Sequence, residues 1–302
     1  SIDRRESDRK SSEMSSAIES ENGARSWFAQ LDVELALREE ATVVARVRHV
    51  GPLRIQKAFP QPDGSCHVYL LHPPGGLVGG DQLSISIHAG NGSSALLTTP
   101  SAGKFYGCLE GLDQKQRIDI SVAESARLEW LPQENIYFDG ARSDLETTVN
   151  IESSGLFIGW EIHCLGRRAM GETFADGSMN QRLRVYRGGK LLHRERLTVL
   201  PASLLATSKW GLGSNSVVGT LIASLPADLV AAKSRRIQEK LVELNALQPQ
   251  QSWGFSLKDS MILGRYLGDS VETCRAGLTQ MRLKLSSAEI CGSASIPRIW
   301  NT

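Results

Sequence analysis

The chain has 302 residues, 41% of them hydrophobic, and a formal net charge of +1. That length and apolar content suffice for one large domain or two modest ones with a real core, and the near-zero charge gives no electrostatic case for nucleic acid or an acidic membrane as partner. No run approaches the roughly 18 consecutive apolar residues of a membrane span, the start has no apolar signal-like region, and five scattered cysteines with no CxxC pair fit a reduced, cytoplasmic protein.

Residues 1–25 are polar, serine-rich and mixed in charge, which predicts a disordered N-terminal segment. Residues 26–302 read as one β-rich domain. From Trp27 to about Ser224 the dominant signal is alternation with period two. Leu31, Val33, Leu35 and Leu37 alternate with polar neighbours, as do Leu83, Ile85 and Ile87, and Ile118, Ile120 and Val122. Each set puts apolar side chains on one face of a strand. Further strands are expected at 147–151, 181–186, 191–199 and 217–223. Pro62-Asp63-Gly64, Gly90-Asn91-Gly92, Asp139-Gly140 and Arg187-Gly188-Gly189-Lys190 supply turns between these runs. Short strands with glycine-rich turns predict a mainly β architecture.

Helical signals come late. Residues 226–244 place Leu229, Ala232, Arg236, Leu241 and Leu244 partly at helical spacing. Residues 269–285 place Val271, Cys274, Leu278, Met281 and Leu285 on one face, with Asp269 or Ser270 as cap. The tail from Ser286, with Pro297 and Trp300, reads as extended.

Four segments are not explained by alternation. His72-Pro73-Pro74-Gly75-Gly76-Leu77-Val78-Gly79-Gly80-Asp81 is a shaped loop. It lacks the GxxxxGK[ST] phosphate-binding pattern, and Asp81 is either a turn cap or a carboxylate aimed into a pocket. In Thr98-Thr99-Pro100-Ser101-Ala102-Gly103-Lys104-Phe105-Tyr106, small hydroxylated residues end a strand, and Lys104 is either a ligand-binding or a snorkelling lysine. In Leu131-Pro132-Gln133-Glu134-Asn135-Ile136-Tyr137-Phe138-Asp139-Gly140-Ala141, Glu134 and Asp139 are an acid–base pair by type but have no nucleophile near them in sequence. In the segment from Gly159 to Glu172, Glu161 and His163 share one strand face, and Ile162 and Cys164 the other. His163 and Cys164 are nickel or zinc ligands by type, or a satisfied half-buried histidine and a core cysteine. The histidines do not cluster at metal-site spacing, and no GxSxG elbow precedes a helix.

The first three of these segments, together with Leu165-Gly166-Arg167-Arg168-Ala169-Met170-Gly171-Glu172, resemble in the same order the signature blocks of the UreD (UreH) family of urease accessory proteins. The similarity runs over residues 31–285. Departures are mild: Ser101-Ala102-Gly103 stands where the family often has Gly-Ala-Thr, and Asn135 where Thr is frequent. The resemblance implies a β-helix-like fold of stacked sheets with two helices in the C-terminal half. It also implies a non-enzymatic cytoplasmic chaperone or scaffold without a tightly bound cofactor. Such a protein acts with UreF and the GTPase UreG, docks on apo-urease, and commonly works as a dimer of heterotrimeric units. Nickel is then expected to pass transiently through an internal polar tunnel lined by hard oxygen ligands, which hold a cation weakly. Asp81, Thr99, Ser101, Glu134, Asp139 and Glu172 are the candidates, each being alternatively a turn cap. The competing readings are a passive protein–protein scaffold without a metal conduit, and a carboxylate-dependent hydrolase using Glu134 and Asp139.

Overall fold

A computed structural model describes residues 18–19, 25–247, 253–287 and 295–301. The expectation of disorder over residues 1–25 falls largely outside them. Of that segment, β1 (Ile18–Glu19) is described, paired antiparallel with β2 (Arg25–Ser26).

Alternation builds the body that follows. β3 (Phe28–Arg38) buries Ala29, Leu31, Val33 and Leu35 and turns Gln30, Asp32 and Glu34 outward. It forms a hairpin with β4 (Ala41–Val50), and β5 (Arg54–Pro60) forms another with β6 (Cys66–Leu71). The chain then winds through β7 (Gln82–Ala89), β8 (Ser94–Thr98), β9 (Gly103–Phe105), β10 (Gln114–Val122), β11 (Arg127–Trp130), β12 (Asn135–Tyr137), β13 (Arg142–Ile151), β14 (Leu156–Leu165) and β15 (Ser178–Arg187). Successive strands cross between two sheets, and each stacks parallel on its equivalent in the previous coil: β7, β10, β13, β15 in one sheet and β6, β8, β11, β14 in the other. The result is the expected β-helix-like stack, of about 4 turns.

Antiparallel strands finish both sheets. β16 (Lys190–Val199) pairs with β15 and ends the seven-stranded sheet. β17 (Val217–Ser224), β18 (Trp253–Lys258) and β19 (Met261–Gly268) extend the ten-stranded one. The β18–β19 hairpin was not expected from the sequence, because Gly254, Gly264 and Gly268 interrupt its apolar pattern.

Two cores result. One lies between the sheets, built from Leu31, Ile87, Ile120, Val149, Val185 and their neighbours. The other lies between the ten-stranded sheet and two helices, α2 (Ala227–Leu247) and α3 (Val271–Ser287), which follow a short α1 (Leu204–Thr207). In α3 the predicted stripe Cys274, Leu278, Met281 and Leu285 is buried, and Ser270 is the cap, its Oγ accepting the Thr273 N–H at 3.1 Å. Asp269 instead accepts the N–H and hydroxyl of Ser216. In α2, Ala232 and Arg236 are exposed; Ile237, Leu241 and Leu244 carry the buried stripe. The tail is not simply extended: a 3-10 turn at Arg298–Asn301 seats Trp300 against Trp160.

Candidate functional site

The ten-stranded sheet is broken at residues 99–102, between β8 and β9, and at 131–134, between β11 and β12. Pro100 and Pro132, with no N–H to donate, sit in these breaks. Between the breaks and the seven-stranded sheet lies a hollow of about 420 Å³. Its walls are largely apolar, with Leu83, Ile85, Ile118 and Leu145 on the far sheet and Leu70 and Trp130 on the near one. His72, Thr99, Ser101, Gln116, Gln133, Asn135, Thr147 and Glu161 are its polar lining.

Glu161 is the charged group at the inner end. Alternation in β14 turns Phe157, Glu161, His163 and Leu165 inward and Ile158, Trp160, Ile162 and Cys164 toward the helices. The Thr147 hydroxyl donates to Glu161 Oε1 at 2.6 Å, and Gln181 Nε2 donates to Oε2 at 2.7 Å. His163 lies 3.5 Å away and is itself held by the Tyr137 hydroxyl at 2.8 Å. The pair expected on one strand face is therefore a contact. His163 is fully buried, whereas Cys164 is half-buried, its thiol pushed up to about 11 by burial and then by Glu134.

Trp130, Thr147 and Glu161 also line a neck of about 10 Å³, together with Thr220. That is room for about one water. Thr220 in turn lines a second hollow, of about 420 Å³, at the open edge between β16, β17 and β19. There Glu195 projects inward from β16, accepting the Thr220 hydroxyl at 3.1 Å and the Arg265 guanidinium at 2.9 Å. Burial alone would raise the Glu195 carboxyl. The hydrogen bond from His193 and the charge and hydrogen bond of Arg265 outweigh it and bring the group down to about 2. The two hollows and the neck share lining residues, Trp130, Thr147 and Glu161 between the first hollow and the neck and Thr220 between the neck and the second, with largely buried carboxylates at Glu161 and Glu195.

The structure brings only part of the sequence-derived candidate set to the first hollow. Thr99 and Ser101 line the first hollow, the Thr99 hydroxyl also accepting the Gln133 N–H at 3.0 Å. Asp81 caps the first crossing loop, its two oxygens accepting N–H groups of Trp27 at 3.0 Å and Val78 at 2.9 Å. Asp139 accepts the N–H groups of Ala175 and Asp176 at 2.7 and 2.8 Å. Glu172 accepts the Asp139 N–H at 3.0 Å and pairs with Arg167. Glu134 faces α3, 3.5 Å from Arg275. Among the described residues no three His, Cys, Asp or Glu side chains form a group that could hold a metal ion. Sequence reasoning missed Glu161 and Glu195 as carboxylates lining the hollows. Their inward parity in β14 and β16 was readable, but the facing strands were not.

The family model described as UreD urease accessory protein matches residues 28–301. The chain belongs to the UreD family. Relatives named urease accessory protein UreD include those of Saccharophagus degradans, 41% identical over 92% of this chain and 94% of that protein, and Dechloromonas aromatica, 41% identical over 92% and 95%. A third, from Chromohalobacter salexigens, is 40% identical over 92% and 90%. Membership of the UreD family gives the chain a role in urease maturation. Among the described residues no helix is long and apolar enough to cross a membrane.

Proposed function

We propose that this UreD-family chain is a non-enzymatic cytoplasmic scaffold that, with UreF and UreG, docks on apo-urease and lets nickel ions cross it between the sheets. The observation that carries this reading is Glu161: a largely buried carboxylate at the one-water neck, held by Thr147 and Gln181 with His163 3.5 Å away. His163 is its basic neighbour, and the carboxylate faces the first hollow, where its oxygens are placed to meet a passing cation. Hard oxygen ligands suit such a cargo, because thiolates would trap it, and transit requires entry without a deep well. The thiols of Cys164 and Cys274, pushed up to about 11 and about 12 chiefly by burial, lie on the helix side of the ten-stranded sheet, away from the hollows.

Exposed apolar side chains support docking on partners. Met170 is 76% exposed, Leu204 84% and Trp210 88%, all in connections that join the two sheets. The deciding experiment is Glu161→Gln, isosteric and still able to bond Thr147. We expect urease activation to fall at least about tenfold while the complex with UreF, UreG and apo-urease still assembles on co-purification. Unchanged nickel content in urease would leave the passive scaffold as the reading.

A further inference from the structure

We propose that Arg265 is the resident counter-ion of Glu195 in the second hollow, a guanidinium that an incoming divalent ion displaces and that in turn keeps Glu195 from retaining that ion. This rests on the passage reading above and assigns a specificity role to a residue outside the family-like blocks.

The two buried carboxylates of the path differ in one respect. Glu161 is bonded by a threonine hydroxyl and a side-chain amide. Glu195 has a cationic partner: Arg265 Nη2 lies 2.9 Å from Oε2, with His193 3.4 Å from the same oxygen and Thr220 on the other. The Glu195 side chain is only 13% exposed, whereas that of Arg265 is 48% exposed. The guanidinium therefore has solvent to move into when displaced, and the carboxylate does not. It reaches across from β19 of one sheet to β16 of the other, over an open hollow beside Trp253 and Tyr266.

Charge then sets the well depth. Arginine does not deprotonate, so Glu195 is never left as a bare anion between transits. A divalent ion gains the carboxylate only by expelling a competitor of the same sign, which stays tethered nearby and returns. Entry is possible and residence is short, the combination that conduction needs. A lysine would supply charge without the planar two-donor fork; a neutral residue would leave a strong oxygen site that holds the ion.

The test is calorimetric titration of NiCl2 into the purified full-length chain and its Arg265→Gln, Arg265→Lys and Arg265→Gln/Glu195→Gln variants. Arg265→Gln is expected to bind one nickel ion about tenfold or more tighter than the parent, Arg265→Lys to resemble the parent, and the double variant to lose the gain. Equal affinity of Arg265→Gln and parent overturns the proposal, as does a gain that survives loss of Glu195. A measurement on the unsubstituted chain guards against misfolding of the variants. Modification of Arg265 by phenylglyoxal, read by peptide mass spectrometry, should rise on adding Ni2+ but not on adding Na+ at equal ionic strength; no rise counts against displacement. If Glu161→Gln leaves activation intact, the passage itself fails. If Glu161→Gln blocks activation and nickel affinity ignores Arg265, only this inference fails.

Discussion

At the scale of single residues, buried charge decides where the molecule is vulnerable. Arg282, fully buried in α3, meets Glu129 of β11 through two of its nitrogens and the Ser295 carbonyl at 2.9 Å. The contact joins helix, sheet and tail. Glu129→Ala leaves an uncompensated buried guanidinium and is expected to cost about 3–5 kcal/mol, measured by chemical denaturation. Arg282→Met paired with Glu129→Leu should cost far less, since it removes both charges.

Glu195 makes a pH-dependent prediction with a definite sign. Its folded value of about 2 lies below the ordinary 4.5, so its stabilisation is fully present above 4.5 and is lost as pH falls through 2. The gap corresponds to roughly 3 kcal/mol at neutral pH. Denaturation midpoints of the parent and Glu195→Gln should therefore differ at neutral pH and converge as the solution is acidified from about pH 5 to about pH 2. A constant difference across that range would mean that Glu195 contributes no titrating stabilisation.

At the scale of elements, the crossings between sheets carry the family-like blocks, and three of their acidic residues, Asp81, Asp139 and Glu172, bind backbone. Asp139 and Glu172 tie two successive crossings together, since Glu172 accepts from Asp139 and Asp139 accepts from residues 175 and 176. One oxygen of Asp139, Oδ1, takes both bonds, and an asparagine amide oxygen can do the same. Asp139→Asn is thus expected to keep stability within about 1 kcal/mol, while Asp139→Ala should lose about 1–3 kcal/mol and speed hydrogen exchange at Ala175 and Asp176. Loss of urease activation in a fully stable Asp139→Asn would show that its charge serves transit as well as folding. Gly166 turns the same crossing at φ +77°, where a Cβ would sit 2.7 Å from the Glu172 carbonyl oxygen. Gly166→Ala should lower stability by about 1–3 kcal/mol, read as a drop in Tm.

At the scale of the whole molecule, the sheets behave as two walls held apart at one edge. Under the proposed passage, cargo would cross a neck of about 10 Å³, too small for an ion with a full water shell unless the walls separate. Thr147 stands at that neck. Thr147→Val keeps the shape but removes the donor to Glu161, and Thr147→Leu fills the space. Both are expected to leave the fold intact by circular dichroism, with urease activation impaired more by Leu than by Val. An equal and negligible effect of the two would mean that cargo does not pass the neck.

Taken along the chain, the sequence by itself determined the strand runs, because side-chain parity is a local property with period two. The α3 stripe was legible for the same reason, its Cys274, Leu278, Met281 and Leu285 recurring at helical steps. The HPPGGLVGGD block and its companions were enough to suggest the family. Tertiary structure alone decided which inward side chains face one another. Stacking put Thr147 of β13 and Gln181 of β15 on Glu161 of β14, and brought Arg265 of β19 to Glu195 of β16, 70 residues away. It also turned Asp81, Asp139 and Glu172 onto backbone N–H groups. A carboxylate has the same local signature whether it caps a turn or lines a passage. Only the partners delivered by coils far apart in sequence distinguish the two.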